Sequence, residues 1–137
     1  MKANQLRINN IVEADGIVQR VYRIWQNGAE LVEQEDGDDY LDYHENDIHP
    51  VKLTEEWLLK FGFKEIKRYT HDFDEIIYGK SIIVGNENHC EMLIISMPFK
   101  CGFIGDYLSD EEYTLNIDIN NVHQLQNLYF ALTNEEL

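Results

Sequence analysis

LTEEWLLKFGF, residues Leu53 to Phe63, carries the most complete set of local signals in the chain and divides it in two. Thr54 offers the hydroxyl of an N-cap, Glu55 and Glu56 put negative charge in a first helical turn, and Gly62 can close the helix in the left-handed conformation. Leu53 before the cap and Leu58 inside it have the spacing of a hydrophobic staple, and Phe63 beyond the glycine can fold back on Leu58. The stretch therefore reads as a short helix, Thr54 to Phe61, with both ends marked. The chain before it reads as one β-rich unit, and the chain after it as a second unit closed by another helix.

Upstream, short strands alternate with turn signals. Ile11-Val12 leads into the turn Asp15-Gly16, Ile17 to Trp25 alternates apolar and polar residues, and Asn27-Gly28 is a second hairpin-type turn. Ala29 to Glu33 and Tyr40 to Tyr43 flank the acidic turn Glu35-Asp36-Gly37-Asp38-Asp39. Ile48 to Lys52 reads as a last strand, with Pro50 tolerated at a sheet edge. So many short strands within residues 1–52 predict a small SH3-like barrel or a strongly bent sheet.

Downstream, Lys64 to Tyr69, Ile76 to Tyr78, Ser81 to Val84 and Glu91 to Met97 read as strands of an antiparallel meander, with turns at Gly79-Lys80 and Asn86-Glu87-Asn88. Cys101 to Tyr107 reads as irregular or an edge, and Tyr113 to Ile119 as a strand buried on one face. Asn121 caps a final helix with Gln124 in the capping-box position. Val122, Leu125, Leu128, Tyr129 and Leu132 form its apolar stripe, which predicts a helix laid across the second sheet. The fold class is α+β, with a β subdomain at 1–52 and an α+β subdomain at 53–137 packed as one compact unit.

The 137 residues, 44% of them apolar, suffice for a core. Two cysteines, Cys90 and Cys101, are too few for a disulfide framework, and no run is apolar for long enough to span a bilayer. The expected setting is the cytoplasm, with reduced thiols. Charge is the strongest compositional statement: 26 acidic against 11 basic residues give a net charge of −15. Such a field repels nucleic acid and anionic membranes and attracts basic protein surfaces.

LTEEWLLKFGF and VHQLQNLYFALTNEEL (Val122 to Leu137) together resemble a signature of small uncharacterised phage and prophage proteins of Bacteroidota, with a weaker likeness at KANQLRINNIV (Lys2 to Val12). The resemblance implies a bacterial host cell as the setting. It carries no activity onto any residue.

No basic residue lies between Arg23 and Lys52, an interval that holds Glu30, Glu33, Glu35, Asp36, Asp38, Asp39, Asp42, Glu45 and Asp47. On strands and their turns these carboxylates form one negative patch. Glu33, Glu35, Asp36, Asp38, Asp39, Asp42, Glu45 and Asp47 are therefore the candidate partner-binding residues. Rows of carboxylates can occupy a cationic groove built for nucleic acid, as phage-encoded inhibitors of host defence enzymes do. The resemblance thus points to an anti-CRISPR-like nucleic-acid mimic acting on the basic surface of a host nucleic-acid-binding protein such as a CRISPR effector nuclease. The plain alternative for such a run is a solvated hairpin face. A second acidic region follows Lys100, with Asp106, Asp110, Glu111, Glu112, Asp118, Glu135 and Glu136.

Competing chemistry is weakly signalled. Asp36-Gly37-Asp38-Asp39 has hard oxygen ligands without the spacing of an EF-hand loop. His44, His49, His71, His89 and the two cysteines share no metal-ligand motif, so neither a metal nor a cofactor is expected. Cys90 beside His89 on a strand would point to the opposite face, a poor arrangement for proton transfer. No phosphate loop or nucleophile elbow is present, and the expectation is a protein that is not an enzyme. Lys60, Lys64, Lys67 and Arg68, interleaved with Phe61, Phe63 and Tyr69, are the one basic cluster and the candidate RNA contact. The remaining functional alternative is an accessory or structural phage protein that self-associates or binds other phage proteins.

Overall fold

A computed structural model of the chain describes residues 1–33, 39–69, 74–83, 90–96, 100–104 and 112–137. For residues 68, 69, 74, 75, 83, 90, 91, 100–104 and 112–116 it describes the backbone alone. The protein is α+β, with two antiparallel five-stranded sheets, a short central helix and a C-terminal helix. By internal contacts it divides into two units: Met1–Lys52 with Asn121–Ala131 and Glu136, and Leu53–Asn120 with Leu132–Glu135 and Leu137.

The first unit opens with a 3-10 turn, Ala3–Gln5, followed by β1 (Ile11–Ala14), β2 (Ile17–Trp25), β3 (Gly28–Glu33), β4 (Tyr40–His44) and β5 (His49–Pro50). Their order is β4-β3-β2-β1-β5, an open sheet with β4 and β5 as its edges, so the bent sheet and not the barrel is realised. Asp15 and Gly16 both take positive φ, 54° and 77°, the paired left-handed geometry that matches a two-residue hairpin to strand twist. The next turn lies one residue earlier than the sequence suggests. Trp25 pairs with Gly28, which leaves Gln26 and Asn27 as the turn and puts Gly28 inside β3. Gly28 answers a close approach: a Cβ there would run into the carbonyl oxygen of Tyr43 and the Trp25 ring.

Alternation along these strands sends Val12, Ala14, Val21, Ala29 and Leu31 to one face, where with Leu6 and Ile48 they form a buried cluster flanked by Met1, Ile24 and Tyr43. The C-terminal helix α2 (Val122–Thr133) belongs largely to this unit. The sequence assigns it to the second sheet, but its polar residues are anchored on the N-terminal segment. Gln126 accepts from Ile11 N at 2.8 Å and donates to the Asn9 carbonyl at 3.0 Å, while Asn127 links Asn10 and Gln5. The start of α2 is as expected: Asn121 N donates to Gln124 Oε1 at 3.1 Å.

The second unit contains α1 (Glu55–Lys60), β6 (Lys64–Tyr69), β7 (Asp74–Ile83), β8 (Cys90–Ser96), β9 (Lys100–Ile104) and β10 (Glu112–Asp118), the strands meandering in the order β10-β9-β8-β7-β6. The local code around α1 is executed in full. Trp57 N donates to Thr54 Oγ1, Gly62 sits at φ 80°, and Gly62 N and Phe63 N donate to the carbonyls of Leu59 and Leu58, both at 3.0 Å. Leu53, Leu58 and Phe63 are all buried. Two expectations change. Gly79-Lys80 makes no turn, because β7 runs unbroken and Gly79 pairs with both Lys64 and Ile94, with Ile66 and Met92 crowding the space a Cβ would fill. Cys101 to Ile104 is a strand and no edge, since β9 is paired on both sides, with a register shift on the β10 side; residues 105–107 of that segment lie outside the described residues, as does the turn expected at Asn86-Glu87-Asn88.

Candidate functional site

The described acids of the predicted patch are Glu33, Asp39, Asp42, Glu45 and Asp47; Glu35, Asp36 and Asp38 lie outside the described residues. Asp42 is exposed on edge strand β4 opposite Glu30, which in turn pairs with Arg23. The ladder Arg23–Glu30–Asp42 therefore runs across one face of the sheet, with Arg23 Nη1 3.6 Å from Glu30 Oε2. Glu33, opposite Gln19, belongs to the other face by the same alternation. Asp39 and Asp47 are exposed at either end of β4.

Glu45 has a different occupation. Its Oε2 accepts from Ala3 N and its Oε1 from Lys2 Nζ, each at 3.0 Å. The backbone hydrogen bond first, and then the lysine ammonium, hold its carboxyl below the usual value. Glu45 thus fastens the N-terminal turn and is the member of the patch least able to meet a partner. The sequence hides this use because Lys2 and Ala3 are more than forty residues away.

Edge strand β4 adds something that composition does not announce. Tyr40 is 47% exposed and Leu41 54% exposed, and among the described residues no strand pairs beyond them. An edge with apolar side chains and free backbone hydrogen-bonding groups is a site of association unless charge or distortion protects it.

The basic cluster does not form one surface. Lys64 and Lys67, three apart on regular edge strand β6, fall on opposite faces. Lys60 lies 4.8 Å from the Trp57 ring centroid, a cation–π arrangement on α1. Only the backbone of Arg68 is described, in register with Glu75. A second basic group, Arg20 and Arg23 beside Tyr22, is not singled out by the sequence, because its placement depends on a register shift between β2 and β3 that one strand does not reveal.

No group of three His, Cys, Asp or Glu with the geometry of a metal site occurs among the described residues, nor is any helix among them long and apolar enough to cross a membrane. His71 and His89 lie outside the described residues, as does the side chain of Cys90. Neither a family model, a curated protein nor a solved structure matches the chain.

Proposed function

We propose that the protein is a non-enzymatic interaction protein that binds a basic protein surface through the acidic edge of its first sheet. The observation that carries this reading is the exposure of Asp39 and Asp42 on and beside β4, whose outer side has no partner strand among the described residues, in an interval without lysine or arginine between Arg23 and Lys52. Charge complementarity at such a rim speeds encounter and selects partners, and the exposed Tyr40 and Leu41 add the apolar contact that holds a complex. Together with the resemblance to phage proteins, the acidity favours a partner that normally holds nucleic acid. The reading is of an anti-CRISPR-like inhibitor of a host defence nuclease, acting in the bacterial cytoplasm.

The exposed apolar edge also favours a second reading, an accessory phage protein that pairs with itself along β4. One experiment separates the two: capture of partners from a Bacteroidota lysate by the tagged chain and by an Asp39→Lys/Asp42→Lys variant, with and without nuclease. A nucleic-acid-handling protein retained after nuclease, and lost in the variant, is the result expected for inhibition. Recovery only while RNA is intact would shift the contact to Lys60, Lys64, Lys67 or Arg68. Recovery of the chain alone, as a symmetric oligomer, favours self-association.

A further inference from the structure

The pairing of β2 with β3 skips a residue: Val21 faces Leu31, but Arg23 faces Glu30. In an unbroken strand Arg20 and Arg23 would point to opposite faces. The extra residue at Tyr22 sets the two arginines opposite Val32 and Glu30, two apart on β3, and so brings both to one face. Arg20, Tyr22 and Arg23 are all exposed there. A cavity of about 500 Å³ opens at this point, lined by Ile8, Asn9, Arg20, Val21, Tyr22 and Arg23.

Its walls are fixed by the backbone. Asn9 N donates to the Val21 carbonyl at 2.8 Å and Val21 N to the Asn10 carbonyl at 2.9 Å. Asn9 holds φ at 70°, the left-handed region that asparagine tolerates better than most residues. The Tyr22 ring is held against Tyr40, with 4.6 Å between centroids, and Ile8 supplies an apolar side 55% exposed. Arg23 lies 3.6 Å from Glu30 and 5.9 Å from the Tyr22 ring centroid, on which a base would compete with it, whereas Arg20 has no ion pair or hydrogen bond from its side chain among the described residues.

From this arrangement we infer a binding site for one nucleotide, its base against Tyr22 and Ile8 and its phosphate between Arg20 and Arg23. Guanidinium groups suit phosphate through paired, charge-assisted hydrogen bonds, and an aromatic ring stacks on any base. The cavity volume lies in the range of small-ligand sites. The rest of the molecule limits the ligand's length. With a net charge of −15, and with Glu30 and Asp42 on the same face, phosphates beyond the first meet repulsion. The same nucleotide chemistry can come from a free nucleotide or from the phosphorylated end of a strand.

Calorimetric titration of the full chain at low salt tests this with adenosine 5′-monophosphate, adenosine, inorganic phosphate and a 5′-phosphorylated oligoadenylate of about ten nucleotides. Saturable binding of the monophosphate is expected, with adenosine and phosphate each about tenfold weaker or worse. Arg20→Ala and Tyr22→Ala should each weaken it by about tenfold, and Arg20→Lys by less, since a point charge replaces the planar fork. An oligomer that binds no tighter than the monophosphate places the site at a strand end, and an oligomer that does not bind leaves the free nucleotide as ligand; both support the site. No binding of the monophosphate up to about 10 mM, or an oligomer bound about a hundredfold more tightly, overturns it. Should a variant fail to fold, amide shifts on the unaltered chain decide: changes confined to Ile8–Asn10 and Arg20–Arg23 support the site, and changes elsewhere overturn it.

Discussion

Gln126 sits on a helix and does the work of a neighbouring strand. It is 2% exposed, and its amide completes the backbone pairing of Ile11 and Asn9. Gln126→Leu keeps the volume and leaves a buried N–H and a carbonyl unsatisfied, so urea unfolding should show a loss of about 2–4 kcal/mol. A change below about 0.5 kcal/mol would mean that water replaces the amide. On the same helix, His123 is buried and its Nδ1 has no hydrogen-bond partner among the described residues. Burial, and to a smaller extent the charge of the N-terminal amine, push its pKa below the usual 6.5. A histidine depressed in the folded state contributes stability above about 6.5 that is lost as pH falls from there through the folded pKa. The unfolding free energy should therefore decline as pH falls below about 6.5, and His123→Phe should flatten that part of the curve. An equal slope in the variant would assign the decline to the carboxylates. Neither residue stood out in the sequence, where the apolar stripe predicts Leu128 and Leu132 as core; both are half-buried, and His123 and Gln126 are buried instead.

At the level of elements, legibility followed the range of the interactions. The ends of α1 could be read because every group that forms them lies within Leu53–Phe63. β2 and β6 begin and end where alternation places them. Gly79-Lys80 misled because a glycine signals a turn as strongly as it signals a crowded strand, and Ile66 and Met92, which crowd it, come from other strands. Lys80 itself is recruited to the helix: its Nζ donates to the Phe61 carbonyl at 2.6 Å, at the C-terminal end of α1, and desolvation lowers its pKa. Lys80→Met retains the aliphatic stem and removes that donor, with an expected loss of about 1–2 kcal/mol in chemical unfolding and earliest amide exchange at Phe61–Phe63. Uniform exchange across the unit would show that the capping bond is dispensable. The bulge in β2 could not be read at all, because a register slip is a property of two strands and leaves no mark on one.

For the whole molecule, charge was fully legible and its distribution only partly so. The run from Glu30 to Asp47 does reach the surface at Asp39, Asp42 and Asp47, while Glu45 is diverted to the N-terminal turn. With a net charge of −15, self-repulsion opposes the compact state, and the melting temperature should rise when salt is raised from about 20 mM to about 300 mM. A falling melting temperature would show that attractive pairs such as Arg7–Glu136 outweigh the repulsion. Most of α2, up to Ala131, groups with the first unit and its last residues with the second, and an apolar stripe says that a helix is covered without saying by which elements. That grouping also sets an order of events in the cell. The first fifty-two residues leave the ribosome well before Gln126 and Asn127, and at about 5–20 residues per second the delay is on the order of several seconds. Throughout that interval the nascent N-terminal sheet exposes Asn9, Asn10 and Ile11 without the helix that seals them, and so the first strands to be made wait for almost the whole chain before their backbone is satisfied.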